Sequence, residues 1–144
     1  MDILIDKIRA RIKTSEDVSV FKQYLIDYSH TNDWYRHVMS DIPRKGYYRN
    51  IIYRDSDFEV VIISWKRYAK TEWHSHPLKG CLMTVLYGSL DEIKLEQNKS
   101  FIDFKSLKPG QVNYVRPTDE HIISNSFNNI SVSLHLYSPP GFYD

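Results

Sequence analysis

The chain lacks the features that mark several broad classes of protein. Its 144 residues include one cysteine, so no intrachain disulfide can form, which favours a reducing, cytoplasmic compartment. No apolar run approaches the length of a membrane span, and the first residues lack the apolar core of a signal peptide. The 19 basic and 18 acidic residues are intermixed, without the basic stripe of a phosphate-tracking protein. We therefore expect one domain with no nucleic-acid or membrane partner.

The distribution of apolar residues divides the chain into two parts. Residues 1–40 have a helical pattern: Ile3, Ile5, Ile8 and Ile12 form an apolar stripe, and residues 14–17 resemble a capping box that opens a second helix. From residue 46 onward, short β-rich runs alternate with turns, as in a sandwich or barrel. The predicted strands are 47–53, 58–65, 81–87, 90–96, 112–115, 122–126 and 130–137. We predict a mainly β domain over residues 1–144, with a helical cap (1–40) in front of a β-barrel (45–140).

The last predicted strand has two chemically distinct faces. The aliphatic face holds Ile130, Val132, Leu134 and Leu136, and the hydrogen-bonding face holds Ser131, Ser133, His135 and Tyr137. In a barrel around a polar site the second face could point inward, and the aliphatic face could pack on a second sheet or on helices. A Ser133–His135–Tyr137 relay is geometrically reasonable there, either to position the phenol or simply to rigidify the barrel.

Three of the six histidines have a spacing that indicates a metal site. His74 and His76 are two residues apart, so in an extended segment both side chains point to the same face. If a distant strand adds His121, three imidazoles can converge on one ion, and iron, copper, nickel and zinc all favour imidazole nitrogen. Paired histidines also occur as exposed or hydrogen-bonded residues, so the pair alone leaves both interpretations open.

A longer pattern makes the metal interpretation specific. The sequence reproduces most of the two motifs of the cupin superfamily, at His74, His76, Gly88, Gly110, His121 and Asn125. Cys81 stands where many cupins place a glutamate ligand, which leaves open positions on a three-histidine site. Residues 45–140 resemble cysteine dioxygenase through Trp65, the runs 74–76 and 86–90, Cys81 and the closing Ser-x-His-x-Tyr-Ser-Pro-Pro of 133–140. The cupin glycine expected near Tyr68 is absent, and the proline of the second motif is displaced to Pro117.

The resemblance implies a cupin (jelly-roll-like) β-barrel that holds non-haem Fe(II) through His74, His76 and His121. Such an enzyme adds both atoms of O2 to the sulfur of L-cysteine and forms cysteine sulfinate. Arg49, with Tyr47 beside it, would bind the substrate carboxylate, since a guanidinium can make two parallel charge-assisted hydrogen bonds. No organic cofactor or external reductant is implied, because the sulfur supplies the electrons. The partners are then the small thiol and O2, and we expect a monomer or weak oligomer.

The resemblance also assigns roles around the metal. In animal-type cysteine dioxygenases, the cysteine that corresponds to Cys81 is joined by a thioether bond to the tyrosine that corresponds to Tyr137, and both residues are present here. The alternative is that Cys81 is a buried free cysteine that behaves as a small apolar residue. Ser133 and His135 take auxiliary catalytic roles, and His135 is not expected to be a metal ligand.

Two other functions fit the same pattern. One is a related dioxygenase for 3-mercaptopropionate or another small thiol carboxylate; such members generally carry glutamine in place of Arg49, which favours cysteine here. The other is a non-catalytic cupin that binds metal and a small ligand, although Arg49, Cys81 and Tyr137 together argue against it. Longer family members carry an extra segment after the Pro-Pro pair, and residues 141–144 replace it here, so the mouth of the site is expected to differ.

Overall fold

Short helices precede eight β-strands in the computed structural model, which describes residues 1–44, 46–95 and 102–144. The α-helices are α1 (Asp2–Arg9) and α2 (Lys22–Ser29), and 3₁₀ helices cover Ile12–Thr14, Val18–Phe21 and Asp33–His37. The strands are β1 (Tyr47–Arg54), β2 (Glu59–Trp65), β3 (Cys81–Tyr87), β4 (Leu90–Leu95), β5 (Ile102–Leu107), β6 (Val112–Val115), β7 (Glu120–Ser124) and β8 (Ser131–Tyr137). In these ranges no helix is both long and apolar enough to cross a membrane.

The strands form two antiparallel sheets. Five strands pair in the order β1-β2-β8-β3-β6, and three pair in the order β5-β4-β7. One apolar cluster joins them, with Val61 and Met83 from the larger sheet and Leu90, Leu107 and Ile123 from the smaller. The mainly β prediction is confirmed, and within the described residues the predicted barrel consists of two facing sheets rather than one closed sheet.

The two faces of β8 are both buried, in different surroundings. Val132, Leu134 and Leu136 belong to a core that also contains Ile8 and Phe21 from the helical region. The aliphatic face therefore packs on the helices, which decides between the two alternatives left open by the sequence. The polar face of β8 points into the space between the sheets, where it meets the second apolar cluster at Tyr137. The alternation of side chains along β8 thus separates an apolar core on one face from a polar interior on the other.

The start of the second helix differs from the prediction. The carboxylate of Asp17 accepts a hydrogen bond from the Ser19 N–H at 2.8 Å and so caps the 3₁₀ helix that runs into α2. The hydroxyls of Thr14 and Ser15 instead donate to the carbonyl of Arg11 at 3.3 and 2.7 Å. The predicted capping box over residues 14–17 is wrong, because Thr14 ends the preceding 3₁₀ helix and its hydroxyl serves that end.

One strand was not predicted, and the ends of others differ. Strand β5 is exposed from Ile102 to Ser106, and its two faces carry mixed side chains, so its alternation does not mark a buried face. Strand β7 ends at Ser124 rather than at residue 126, because the Asn125 side-chain amide donates to the carbonyls of Trp65, Lys66 and Asn129 and holds the turn. Residue 96, the predicted end of β4, lies outside the described residues.

A tyrosine occupies the position of the missing cupin glycine. Tyr68 has φ = 69°, in the left-handed region that favours glycine. Hydrogen bonds hold this turn: the Tyr68 N–H donates to the Asn125 carbonyl at 2.7 Å, and the Asn125 N–H donates to the Ala69 carbonyl at 2.8 Å. The side chain is 73% exposed, so little burial offsets the strained backbone. The backbone conformation of the motif is therefore retained without its residue.

We expect Tyr68→Gly to be more stable than Tyr68→Ala by about 0.5 kcal/mol in urea unfolding. Relief of the left-handed conformation is worth about 1–2 kcal/mol, and the larger entropy of unfolded glycine offsets about 0.5–1 kcal/mol of it. The matched pair is Arg67→Gly and Arg67→Ala at the exposed neighbour, which does not have positive φ, so alanine should be the more stable there. The same order at both positions would contradict the interpretation.

Candidate metal centre

Three imidazoles meet at one end of the space between the sheets. The Nε2 atom of His121 lies 3.0 Å from Nε2 of His76 and 2.9 Å from Nε2 of His74. In the described residues, these histidines form the group of ligand-type side chains that could hold a metal ion, with ligand atoms within 4.8 Å of one another. His76 and His121 are buried, and His74 is half-buried. The structure thus brings together the three residues that the sequence proposed as ligands.

Backbone pairing sets this convergence. His121 lies on β7, and its N–H and carbonyl exchange hydrogen bonds with those of His74, both at 3.2 Å. Because His74 and His76 are two residues apart in an extended segment, both imidazoles reach His121 from the same side. This segment makes a single bridge to β7 and is not a strand of either sheet.

The remaining nitrogen of each imidazole faces an acceptor. Nδ1 of His74 lies 2.9 Å from the Glu72 carbonyl, and Nδ1 of His76 lies 3.0 Å from the Asp119 carbonyl. Nδ1 of His121 lies 2.7 Å from Oε2 of Glu92. Carbonyl and carboxylate oxygens only accept, so each Nδ1 carries the proton and each Nε2 carries a lone pair. The lone pair of His121 lies about 3 Å from those of His74 and His76, and such groups repel unless a cation lies among them, so the residues fit a metal ion.

Burial keeps His74 and His76 unprotonated. Burial, with a smaller contribution from nearby His121, lowers the pKa of His74 to about 4 and that of His76 to about 3. Burial alone would raise the pKa of Glu92, but the hydrogen bond from His121, with smaller contributions from Lys94 and Asn113, leaves it below its ordinary value. Glu92 is therefore a buried carboxylate that accepts from both His121 and the Asn113 amide, at 2.7 and 2.9 Å. It orients His121 as second-layer carboxylates orient metal-bound imidazoles.

A cavity of about 680 Å³ opens beside the histidines. His74 and His121 line it, together with Tyr47, Arg49, Cys81, His135 and Tyr137, which the sequence had singled out. Tyr47 packs on Trp65, with ring centroids 5.1 Å apart. Ser133 is fully buried behind the lining, where it contacts His135. The predicted site residues other than His76 therefore lie in or directly behind one cavity, and His76 adjoins it through His121.

Arg49 brings a positive charge into this cavity. Its Nη2 atom is buried and has no hydrogen-bond partner among the described residues, and it lies 3.7 Å from Oε1 of Glu59. Glu59 is fully buried and accepts from Nε of Arg54 at 2.8 Å, so one carboxylate lies between two guanidinium groups. A buried N–H without a partner is rare, and a bound carboxylate would satisfy it.

A chain of hydrogen bonds runs along the polar face of β8. The Trp65 indole N–H donates to Oγ of Ser133 at 2.8 Å, Oγ lies 2.7 Å from Nε2 of His135, and Nδ1 of His135 lies 3.0 Å from the Tyr137 hydroxyl. Burial lowers the pKa of His135, and Arg49 lowers it further. His135 is therefore a neutral imidazole inside the chain and not one of the three clustered histidines. The structure adds Trp65 to the predicted Ser133–His135–Tyr137 relay.

Cys81 and Tyr137 are direct cross-strand neighbours. They are Cα partners in the antiparallel pair β3–β8, which brings their side chains together on the same face. Cys81 is a free, buried cysteine, and burial raises the pKa of its thiol. Burial also raises the pKa of Tyr137, so both groups are protonated at neutral pH. The register is the one that a thioether between these residues requires.

Three residues of the site escaped the sequence analysis. Glu92 shares a strand face with buried Leu90. An acidic residue at a position where the strand pattern predicts burial was the signal that could have identified it. Glu59 likewise lies in a continuously buried strand. Tyr143 lines the cavity from a segment that matches no motif, and with 11 tyrosines in the chain nothing distinguished it.

Solved structures with the same arrangement of strands define the class. Peruvianin-I, a cysteine peptidase from Thevetia peruviana latex, aligns with TM-score 0.63 and 15% identity over 79% of this chain and 76% of its own. KdgF from Halomonas sp. aligns with TM-score 0.57 and 20% identity over 72% and 86%. A cupin with a double-stranded β-helix fold from Methanocaldococcus jannaschii aligns with TM-score 0.55 and 15% identity over 69% and 87%. At these identities the likeness concerns the fold alone, and the protein has the cupin fold.

The family follows from the sequence. The model of the family described as cysteine dioxygenase type I matches residues 3–143, which is nearly the whole chain. The protein belongs to the cysteine dioxygenase type I family. The resemblance drawn from residues 45–140 is confirmed, and it extends over the helical region as well. Family and geometry together indicate a thiol dioxygenase fold with a three-histidine metal site.

We expect Glu92→Gln to weaken binding of a divalent metal about 10–100-fold, because the amide removes the charge that supports His121. The measurement is competition for Zn(II) between the protein and a chromophoric chelator. The matched control is Asp91→Asn on the same strand, whose carboxylate accepts from Ser126 away from the histidines. Equal affinities for the two variants would remove the proposed role of Glu92.

Proposed function

We propose that this protein is an iron-dependent dioxygenase that converts L-cysteine and O2 into cysteine sulfinate. The observation that carries the proposal is that Arg49 lines the same cavity as His74 and His121, two of the three clustered histidines. His74, His76 and His121 would hold the ion through neutral Nε2 atoms. A bound ferrous ion would supply the open coordination positions and the electron-transfer chemistry that oxidation of a thiolate by O2 requires. We also propose a cytoplasmic location, in keeping with one buried, reduced cysteine.

The protein's own groups bind the other end of the substrate. Arg49 has a buried Nη2–H for which the described part of the chain offers no partner, and a substrate carboxylate can accept from it and from a second guanidinium N–H in parallel. Tyr47 lines the cavity two residues earlier on β1 and closes the same side. Because Glu59 also faces the guanidinium, the arginine is held before substrate arrives, and less ordering accompanies binding.

Tyr137 is the group placed to exchange a proton near the substrate. Its hydroxyl lies 3.0 Å from Nδ1 of His135, whose Nε2 lies 2.7 Å from Ser133. Two arrangements satisfy these two bonds. Either the phenol donates to His135 while His135 donates to Ser133, or Ser133 donates to His135 while His135 donates to the phenol oxygen. In the first the tyrosine oxygen is free to accept, and in the second its hydrogen is free to donate to the substrate. The chain can therefore direct the Tyr137 proton toward His135 or toward the substrate while every group in it stays neutral.

Oxygen uptake tests the function. Protein loaded anaerobically with Fe(II) is mixed with buffered O2, with and without L-cysteine, 3-mercaptopropionate or 2-aminoethanethiol. We expect cysteine to stimulate uptake most, with one O2 consumed per cysteine. His74→Ala should abolish the stimulation, and His30→Ala, at an exposed histidine in the helical region, should retain it. A strong preference for 3-mercaptopropionate would change the substrate, and no stimulation by any thiol would leave a metal-binding cupin without this activity.

We further propose that Cys81 and Tyr137 become joined during aerobic turnover. The bond forms between Sγ and a ring carbon, the S–H bond and one ring C–H bond break, and the two hydrogen atoms reduce one O2 to H2O2. The direct pairing of the two residues on β3 and β8 supports this step, since neither strand has to shift. Burial of both groups limits competing reactions of the thiol with solvent oxidants.

Intact-mass measurement tests the crosslink. Exposure to Fe(II), cysteine and O2 should lower the mass by two hydrogen atoms, and peptide mapping should place the loss on Cys81 and Tyr137. Cys81→Ser and Tyr137→Phe should show no change, and wild-type protein kept anaerobic is the matched control. An unchanged mass in wild-type protein that has turned over many cysteines would show that the pair stays separate.

A further inference from the structure

Residues 141–144, here called the strap, fold back over the cavity after β8. Tyr143 and Asp144 both line the cavity. Gly141 has φ = 82°, and the Asp144 N–H donates to the Gly141 carbonyl at 3.2 Å, so the segment is a defined turn. No residue of this turn belongs to the hydrogen-bond chain or to the histidine cluster described above.

The strap is attached to the histidine segment. The Tyr143 hydroxyl donates to the carbonyl of Ser75 at 2.7 Å, and Ser75 lies between His74 and His76. The Tyr143 ring also meets the His74 ring edge-on, with centroids 5.6 Å apart. The side chain therefore spans from the strap to the segment that supplies two of the three imidazoles.

The same ring contacts the group proposed to bind the carboxylate. Cζ of Arg49 lies 5.1 Å from the centroid of Tyr143 and 5.6 Å from that of Tyr137, and the two rings meet edge to face with centroids 5.2 Å apart. Both distances are within the range of a cation–π interaction. Two tyrosine faces thus restrict the guanidinium, one from β8 and one from the strap.

An alternating row of charges holds the strap to the same arginine. The Asp144 carboxylate accepts from Nη1 and Nη2 of Arg54, each at 2.9 Å, in a two-bond pairing. Arg54 also donates to Glu59, and the second oxygen of Glu59 faces Arg49 at 3.7 Å. The row therefore runs Asp144, Arg54, Glu59, Arg49. Its two ends meet at the cavity, where Tyr143 covers Arg49.

We infer that Tyr143 is a positioning residue that holds Arg49 for the substrate carboxylate, so that the strap selects thiols that carry a carboxylate at the far end from the sulfur. This inference rests on the proposed function, because it takes a thiol carboxylate as the ligand. The ring supplies the contact, the bond to Ser75 sets its distance from the histidine segment, and the Asp144–Arg54 pair keeps the strap in place. Tyr143 need not touch the reacting atoms.

Binding without turnover provides the test. Anaerobic Fe(II)-loaded protein is titrated calorimetrically with L-cysteine and with 2-aminoethanethiol, which is the same thiol without the carboxylate. Tyr143→Ala should weaken cysteine binding about tenfold and change binding of 2-aminoethanethiol less than about twofold. Tyr143→Phe keeps the ring and should stay within about threefold of the wild type. Tyr24→Ala, at a half-buried tyrosine of α2, is the matched control, and circular dichroism checks that each variant is folded.

A double-mutant cycle shows whether Tyr143 acts through Arg49. In an Arg49→Ala background, Tyr143→Ala should cause no further loss of cysteine affinity, because the group that it positions is gone. Asp144→Ala removes the ion pair without touching the ring, and it should weaken cysteine binding about threefold in the wild-type background and not in Arg49→Ala. With O2 present, these losses should appear in KM rather than in kcat.

The outcomes separate this inference from the function on which it rests. Equal losses for the two thiols, additive losses in the cycle, or unchanged cysteine affinity in both Tyr143→Ala and Asp144→Ala would overturn the role of the strap. If wild-type protein binds cysteine more tightly than 2-aminoethanethiol and the cycle is non-additive, but O2 uptake is not stimulated, the strap stands as a carboxylate-selecting element and the dioxygenase proposal fails.

Discussion

Three imidazole nitrogens that turn their lone pairs toward one another are the constraint on which the rest of the site depends. At about 3 Å this arrangement repels in the absence of a cation, so it persists only because the opposite nitrogen of each ring is committed to an acceptor. The acceptors are the carbonyls of Glu72 and Asp119 and the carboxylate of Glu92. They come from three separate segments, so the loop before β3, strand β4 and the turn before β7 must all be placed before the metal site exists.

Strand β8 makes that placement compatible with a stable fold. Its aliphatic face is covered by the helices, which supplies apolar burial on one side and leaves the other side for Ser133, His135 and Tyr137. A polar row inside a protein is costly unless each group has a partner, and Trp65 completes the row by donating to Ser133. The helical region is therefore part of the reason that the cavity can be polar, although none of its residues lines the cavity.

The sequence predicts the structure correctly where the residue pattern of a segment reflects a single surrounding for each face. The alternation over residues 130–137 and the spacing of His74 and His76 each do so, and the family model bears out the resemblance built on them. Strand β5 was not predicted because it is exposed and both of its faces carry mixed side chains, so its sequence has no alternating pattern. Glu92 and Tyr143 escaped for a different reason: each acts through a partner that is distant in the chain, 29 residues away in the first case and 68 in the second. Tyr68 shows that a motif's backbone can survive the loss of its glycine.

The charges around the cavity support the proposal that its ligand is a thiol carboxylate rather than a simple thiol. A divalent ion among the histidines and the guanidinium of Arg49 are two positive centres, and their nearest carboxylates are already shared: Glu92 with His121 and Asn113, and Glu59 with Arg54. A ligand that brings a thiolate to one centre and a carboxylate to the other complements both. Cysteine and 3-mercaptopropionate meet this condition equally, so charge selects the class and not the member. The choice between them must come from the amino group, which can bind a metal only as the neutral amine. The same positive surroundings that attract the two anionic groups lower the pKa of the ammonium group and so favour that neutral form.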